Sequence, residues 1–309
     1  MTTVGVCGNL LGIRDLDGAR ILHFLDQAEA FREIMDRDIK KVPTLRGKVL
    51  VNMFFEPSTR TMTSFELAGK ILSADVVNFS SSFSSLSKGE SIKDTARTLM
   101  SLGADVVVVR HPHTGVPEFI SRLIPVPVVN AGDGIGEHPT QALLDLYTVR
   151  RRLGELKGVN VTIMGDVSHS RVARSNIFAF TRVGARVRLV APPTMLPAGV
   201  EELGVSVFHS LEPLYHDTDI LYLLRIQRER QSESLVPSLR EYSNLYGVNA
   251  GVLSRFKKNV LVMHPGPINR GVEISADVAD GLSSLIEEQV RNGVVVRMAA
   301  LYLLTRREG

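Results

Sequence analysis

Cysteine is almost missing from this chain of 309 residues: Cys7 is the only one, which rules out an internal disulfide and a small disulfide-stapled secreted scaffold. A lone reduced thiol fits the cytosol. Charge of one sign is scarce too, since 36 Lys and Arg against 33 Asp and Glu leave a formal net charge of +3, with no basic run to grip a nucleic acid. No apolar stretch is long enough to span a bilayer, and Met1 to Leu11 lack the basic start and long apolar core of a secretory signal. Internal repeats are absent, and the only biased tract is the serine-rich Ser80 to Ser87. Two metal and cofactor signatures are missing as well. The closest histidine pair is His111-x-His113, far from a zinc spacing, and no G-x-G-x-x-G triplet marks a dinucleotide turn.

What remains is ordinary globular composition, 44% hydrophobic and 22% charged, on a chain longer than one domain usually needs. Phe24 to Met35 reads as an opening amphipathic helix. Strand-like runs follow at Val49 to Phe55, Asp75 to Phe79, Val106 to Val109 and Val126 to Asn130, then at Val159 to Met164, Arg186 to Val190, Val205 to Phe208, Ile220 to Leu224 and Val260 to Met263. Helical patterns fill most gaps. Short apolar strands alternating with helices predict an α/β protein of two domains, each a mostly parallel sheet flanked by helices. The helix Thr140 to Leu153 and the Gly154 to Gly158 turn mark the joint, giving domains 1–152 and 153–292, joined by interdomain helices. A last helix, with Val294 to Thr305 at its heart, returns residues 293–309 to the first domain.

Ligands in such sheets bind at the carboxyl ends of strands, and polar residues stand there repeatedly. The first run leads into Phe55-Glu56-Pro57-Ser58-Thr59-Arg60-Thr61, where three hydroxyls and a guanidinium crowd a predicted helix start. Unpaired N–H groups of a first helical turn already attract an anion, and Arg60 adds a fork suited to phosphate oxygens. The plain alternative is an N-cap with a surface arginine. Arg110 lies just past four valines. In Asn130 to Gln141, three glycines permit close approach of the backbone to a ligand, and His138 and Gln141 are spaced to face one way. Arg171 opens a helix after Met164-Gly165-Asp166. Arg225 and Gln227 alternate to one side after the eighth run, although a solvated charge run, Arg225 to Arg230, is the simpler reading. His264-Pro265-Gly266-Pro267 reads as a rigid turn.

In this order, Ser58-Thr59-Arg60-Thr61, Arg110, His138-Pro139-Thr140-Gln141 and His264-Pro265-Gly266-Pro267 resemble the carbamoyltransferase family over essentially the whole chain. The resemblance implies that Ser58, Thr59, Arg60, Thr61, Arg110, His138 and Gln141 bind carbamoyl phosphate, with the main chain at Gly266 and Pro267 on its carbamoyl end. It further implies that Lys88, Arg171, Arg225 and Gln227 meet L-aspartate. Arg60, Thr61, His138 and Lys88 are the implied catalytic set. No cofactor or metal is implied. The family pattern also implies a cytoplasmic homotrimer with shared active sites, in which Lys88 and a serine of Ser84-Ser85 come from the neighbouring chain. Larger assemblies with regulatory or dihydroorotase chains occur in that pattern, but nothing in this sequence decides for one.

Acceptor choice separates the branches of the family. Aspartate brings two carboxylates and calls for cations such as Arg171 and Arg225, whereas ornithine brings an amine and calls for an acidic partner. Relatives that use ornithine carry a His-Cys-Leu-Pro turn, whereas this chain has His264-Pro265-Gly266-Pro267. The expected reaction is therefore transfer of the carbamoyl group to the α-amino group of L-aspartate, giving N-carbamoyl-L-aspartate and phosphate, early in de novo pyrimidine (UMP) synthesis. A nicotinamide oxidoreductase suits the α/β pattern but lacks its glycines. A non-catalytic anion or amino-acid sensor keeps every binding residue, and only turnover separates it from an enzyme.

Overall fold

A computed structural model of the chain describes residues 8–80, 91–227 and 235–306. The chain divides into two compact units, Met1–Tyr147 with Val290–Gly309, and Thr148–Gln289.

In the first unit, α1 (Gly18–Arg32) is followed by β1 (Val49–Phe54), α2 (Thr59–Ile71), β2 (Asp75–Ser80), α3 (Ile92–Ser101), β3 (Val106–His111), α4 (Val116–Ser121) and β4 (Val128–Asp133). The strands lie in the order β2-β1-β3-β4, all parallel. β1 leads first to one side and the chain then crosses to the other, which makes the gap between β1 and β3 the topological switch point. Buried Val107, Val109 and Val128 pack with Val51, Met53, Leu99 and Ile120 in the core. Runs of β-branched residues suit strands covered on both faces.

The second unit carries β5 (Asn160–Met164), α6 (Arg171–Arg182), β6 (Arg186–Val190), β7 (Ser206–Phe208), β8 (Ile220–Leu223), α7 (Leu239–Tyr246), α8 (Ala250–Leu253), β9 (Leu261–Met263) and α9 (Ala276–Ala279). Its order is β7-β6-β5-β8-β9, again all parallel, with the switch point between β5 and β8. Helix α5 (Pro139–Leu153) and helix α10 (Ile286–Thr305) each run across a division between the units.

All nine predicted strands are present, while several ends differ for local reasons. Helix α1 starts earlier than its apolar stripe because Asp17 caps it, accepting the Arg20 N–H at 2.7 Å, and its polar first turn carries no periodic signal. Strand β4 starts late, at Val128 after Pro127, and runs on through Asp133. Likewise β3 continues past its valines, so Arg110 is part of the strand rather than just beyond it.

The segment before α1 is tied to β4. Leu10 donates to the Val128 carbonyl and accepts from the Asn130 N–H, each at 2.9 Å, and the buried Glu137 carboxylate accepts the Ile13 N–H at 2.7 Å. Losing that acceptor strands a buried donor, which costs about 1–3 kcal/mol. Glu137→Ala should therefore lower the free energy of unfolding by about that amount, read from the urea midpoint; an unchanged midpoint would mean that the N-terminal segment does not depend on this carboxylate.

Candidate functional site

In the first unit the polar candidates gather at the carboxyl ends of β1, β3 and β4. Phe54 pairs with Arg110 and His111 with Asp133 in the strand register. The Phe55 N–H donates to the Arg110 carbonyl at 2.9 Å, so the chain leaving β1 is fastened to the end of β3 before it turns into α2.

Helix α2 begins at Thr59 with Ser58 in the capping position, yet the Ser58 side chain makes no capping hydrogen bond. An N-terminal turn without its side-chain cap keeps donors available for an anion at the positive end of the macrodipole. Thr61 is buried, whereas Thr59 and Arg60 are exposed in the same turn. Arg110 is drawn across the strand ends: it forms an ion pair with Glu56 at 2.7 Å, and its Nη1 donates to the Ala131 carbonyl at 3.1 Å. Glu56 had no role in the sequence reading, although an acid inside an otherwise anion-seeking motif was a signal in itself.

The loop from Asn130 to Gln141 is built around Asp133. Its carboxylate accepts the Glu137 N–H at 2.9 Å and the Gly115 N–H at 2.7 Å, while Asn130 donates to it at 2.9 Å. A Cβ at Gly136 would sit 2.7 Å from that carboxylate, and one at Gly134 would meet the Thr114 backbone at 2.7 Å. These two glycines make room for the loop's own packing, not for a ligand. The loop delivers His138 and Gln141 to the start of α5, both buried, with the Gln141 and Ala142 N–H groups bonded to the His138 carbonyl.

In the second unit, Arg171 and Arg225 flank the switch point. Gly165, at φ 129°, lets the tail of β5 pass the Leu224 carbonyl, which a Cβ would approach to 2.7 Å. Buried Asp166 then accepts both the His169 N–H at 3.2 Å and its Nδ1 at 2.9 Å. Ser170 caps α6 through a bond from the Ala173 N–H, and Arg171, first residue of that helix, is 4% exposed. A cation at a helix N-terminus opposes the macrodipole, so something other than helix stability selects it. Ile226 is buried while Arg225 and Gln227 are partly exposed, as alternation predicts, and Gln227 Nε2 donates to the His169 carbonyl at 3.2 Å. The Gly266-Pro267 turn is also in this unit. His264 accepts the Gly266 N–H on Nδ1 at 2.8 Å and pairs through Nε2 with buried Glu273 at 3.2 Å, and the Asn269 N–H reaches the same carboxylate at 2.6 Å. Lys88, Ser84, Ser85 and Arg228 to Arg230 lie outside the described residues.

Two parallel sheets, each with arginines and a helix start at its switch point, define an α/β protein with positive charge at both strand-end edges. Comparison with known proteins makes this specific. Residues 9–151 match the family model described as aspartate/ornithine carbamoyltransferase, carbamoyl-P binding domain, and residues 157–304 match the Asp/Orn binding domain of that family. A protein of Desulforudis audaxviator named aspartate carbamoyltransferase catalytic subunit is 57% identical over 296 residues, 96% of this chain and 97% of that one. One of the same name from Pelotomaculum thermopropionicum is 56% identical over 303 residues, 98% of each chain. Among solved structures, aspartate transcarbamoylase from Trypanosoma cruzi in complex with carbamoyl phosphate superposes with a TM-score of 0.88 at 33% identity, covering 96% of both chains. The catalytic subunit of M. jannaschii aspartate transcarbamoylase gives 0.83 at 35% identity over 95% of this chain and 96% of that one. This chain belongs to the aspartate/ornithine carbamoyltransferase family.

One titration follows from the geometry at β3. Burial, and then the neighbouring His113, push the His111 imidazole below its usual value. As pH falls below about 6.5 the unfolded chain takes up a proton that folded His111 resists, so stability declines from about pH 7 toward pH 5. His111→Gln should flatten this decline in denaturant midpoints measured at pH 7.5, 6 and 5; identical slopes in the two proteins would contradict it.

Proposed function

We propose that this protein transfers the carbamoyl group of carbamoyl phosphate to the α-amino group of L-aspartate, releasing N-carbamoyl-L-aspartate and phosphate. The observation that carries the reading is the placement of two separate cation sets at two switch points. Arg60 and Arg110 stand with a helix N-terminus in the unit matching the carbamoyl-P domain, and Arg171 and Arg225 stand in the unit matching the Asp/Orn domain. Full-length likeness to proteins named aspartate carbamoyltransferase supports aspartate over ornithine as acceptor.

Each residue has a task set by the charge it meets. Ser58, Thr59, Thr61 and the open first turn of α2 bind phosphate oxygens, with Arg110 as a further cation. Attack by the amine on the carbamoyl carbon builds negative charge on the carbonyl oxygen, which donors from Arg60, Thr61 and His138 stabilise. Gln141 and the main chain at Gly266 and Pro267 hold the carbamoyl end. Arg171, Arg225 and Gln227, with Lys88, receive the aspartate carboxylates. Phosphate departs as the C–O bond breaks and takes the proton that the amine loses, so the protein needs no dedicated base. Holding two anions in reacting geometry supplies much of the rate, and proximity alone is worth about 7–11 kcal/mol.

The enzyme works as a cytoplasmic homotrimer at an early step of pyrimidine synthesis, with Lys88 and a serine of the Ser84-Ser85 pair completing a neighbour's site. The absence of any helix long and apolar enough to cross a membrane among the described residues is compatible with this. Purified protein given carbamoyl phosphate and aspartate should yield N-carbamoyl-aspartate and phosphate; turnover of ornithine instead, or no turnover, would overturn the reading. Arg225→Ala should raise the KM for aspartate by at least about tenfold, as expected for a lost charged hydrogen bond, and leave that for carbamoyl phosphate nearly unchanged. Equal changes in both would remove Arg225 from the acceptor site. Arg60→Ala should cut kcat about a hundredfold or more, the scale of one lost oxyanion donor, and a near-normal kcat would reject its role.

A further inference from the structure

Gln141 is held in one orientation by a fully buried neighbour. Its Nε2 donates to Asp145 Oδ1 at 3.1 Å, one helical turn along α5, and Asp145 is fully buried. An ionised carboxylate can only accept, so the amide nitrogen must face Asp145 and the amide oxygen must turn away from it. Arg297 of α10 is buried and feels the Asp145 charge. Burial pushes the Arg297 pKa down to about 10 and the Asp145 charge draws it back up, so it stays cationic at neutral pH. Arg297 Nη1 also donates to Ser64 at 2.9 Å and the guanidinium stacks on Phe65, 5.1 Å from the ring centroid. Ser64 and Phe65 are on α2, one turn beyond Arg60 and Thr61, so the buried charges join the helix that presents the anion turn to the helix that presents Gln141.

We propose that Asp145, backed by Arg297, is a positioning residue that makes Gln141 present a hydrogen-bond acceptor, so that the site selects acyl phosphates bearing an N–H on the acyl carbon. This rests on the carbamoyl phosphate reading above. Carbamoyl phosphate offers an NH2 group to that oxygen. Acetyl phosphate, the same shape with a methyl group in its place, leaves it unpaired, and a buried polar group without its partner discriminates strongly. A freely turning amide would offer its own NH2 half of the time and weaken this preference about twofold.

The test uses the full-length enzyme and compares carbamoyl phosphate, as substrate, with acetyl phosphate, as competitive inhibitor. Asp145→Asn can donate as well as accept and releases the amide; the affinity ratio of the two ligands should fall about twofold, through carbamoyl phosphate alone, because the acceptor orientation is then populated only half of the time. That variant leaves Arg297 buried without its counter-charge and is at risk of misfolding, so Asp145→Asn with Arg297→Met, which removes both charges together, is the second variant. It should show the same fall. In a Gln141→Ala background, Asp145→Asn should have no further effect on the ratio. A folded variant in which both ligands weaken equally, or neither changes, overturns the proposal. If the wild-type protein makes no N-carbamoyl-aspartate, the functional reading itself fails; normal turnover with an unmoved ratio sinks only the role of Asp145.

Discussion

A parallel strand buried on both faces can release its chain only at its ends, and the chain therefore turns polar at one common edge of the sheet. Everything functional in this protein depends on that constraint. β1 and β3 open the switch point of the first sheet, and Phe55, bonded to Arg110, fixes where the chain leaves. β5 and β8 open the second, where Gly165 passes the Leu224 carbonyl closely enough to keep the two tails side by side. Helices that start just beyond these edges bring their unpaired N–H groups with them.

Gathering cations at such an edge costs free energy unless something holds them, and acids do so here. Glu56 holds Arg110 across the strand ends, and the Asp145 charge steadies Arg297. Carboxylates also shape the loops that carry uncharged site residues. Asp133 and Glu137 fold the segment leading to His138, Asp166 fixes His169 two residues before Arg171, and Glu273 with His264 ties down the turn holding Gly266 and Pro267. The pattern is one of acids that orient donors at the strand ends and in the loops beyond them. It explains how a nearly neutral chain, +3 overall, can present local positive charge.

Much of this was legible in the sequence because it rests on period and punctuation. Apolar runs such as Val106 to Val109 placed every strand, and polar residues after them stand at the carboxyl ends of the sheets. What stayed hidden depends on contacts distant in the chain. Strand order decides that Arg110 neighbours Phe55, and no local pattern encodes it. The roles of Glu56 and Asp145 appear only once a partner is seen opposite, and Arg297 is 152 residues from Asp145 in the chain. The glycines of the loop before His138 gave the right signal, close approach, but for Gly134 and Gly136 the approaching groups are Thr114 and Asp133.

Whether the edge formed by β1 and β3 is the phosphate site is decided by a crystal structure of the protein with carbamoyl phosphate. The account predicts phosphate oxygens at the first turn of α2, within hydrogen-bond reach of Ser58, Thr59, Thr61 and Arg110, and the carbamoyl NH2 on Gln141 Oε1. Clear density for the ligand at any other place, with this turn empty, would contradict it.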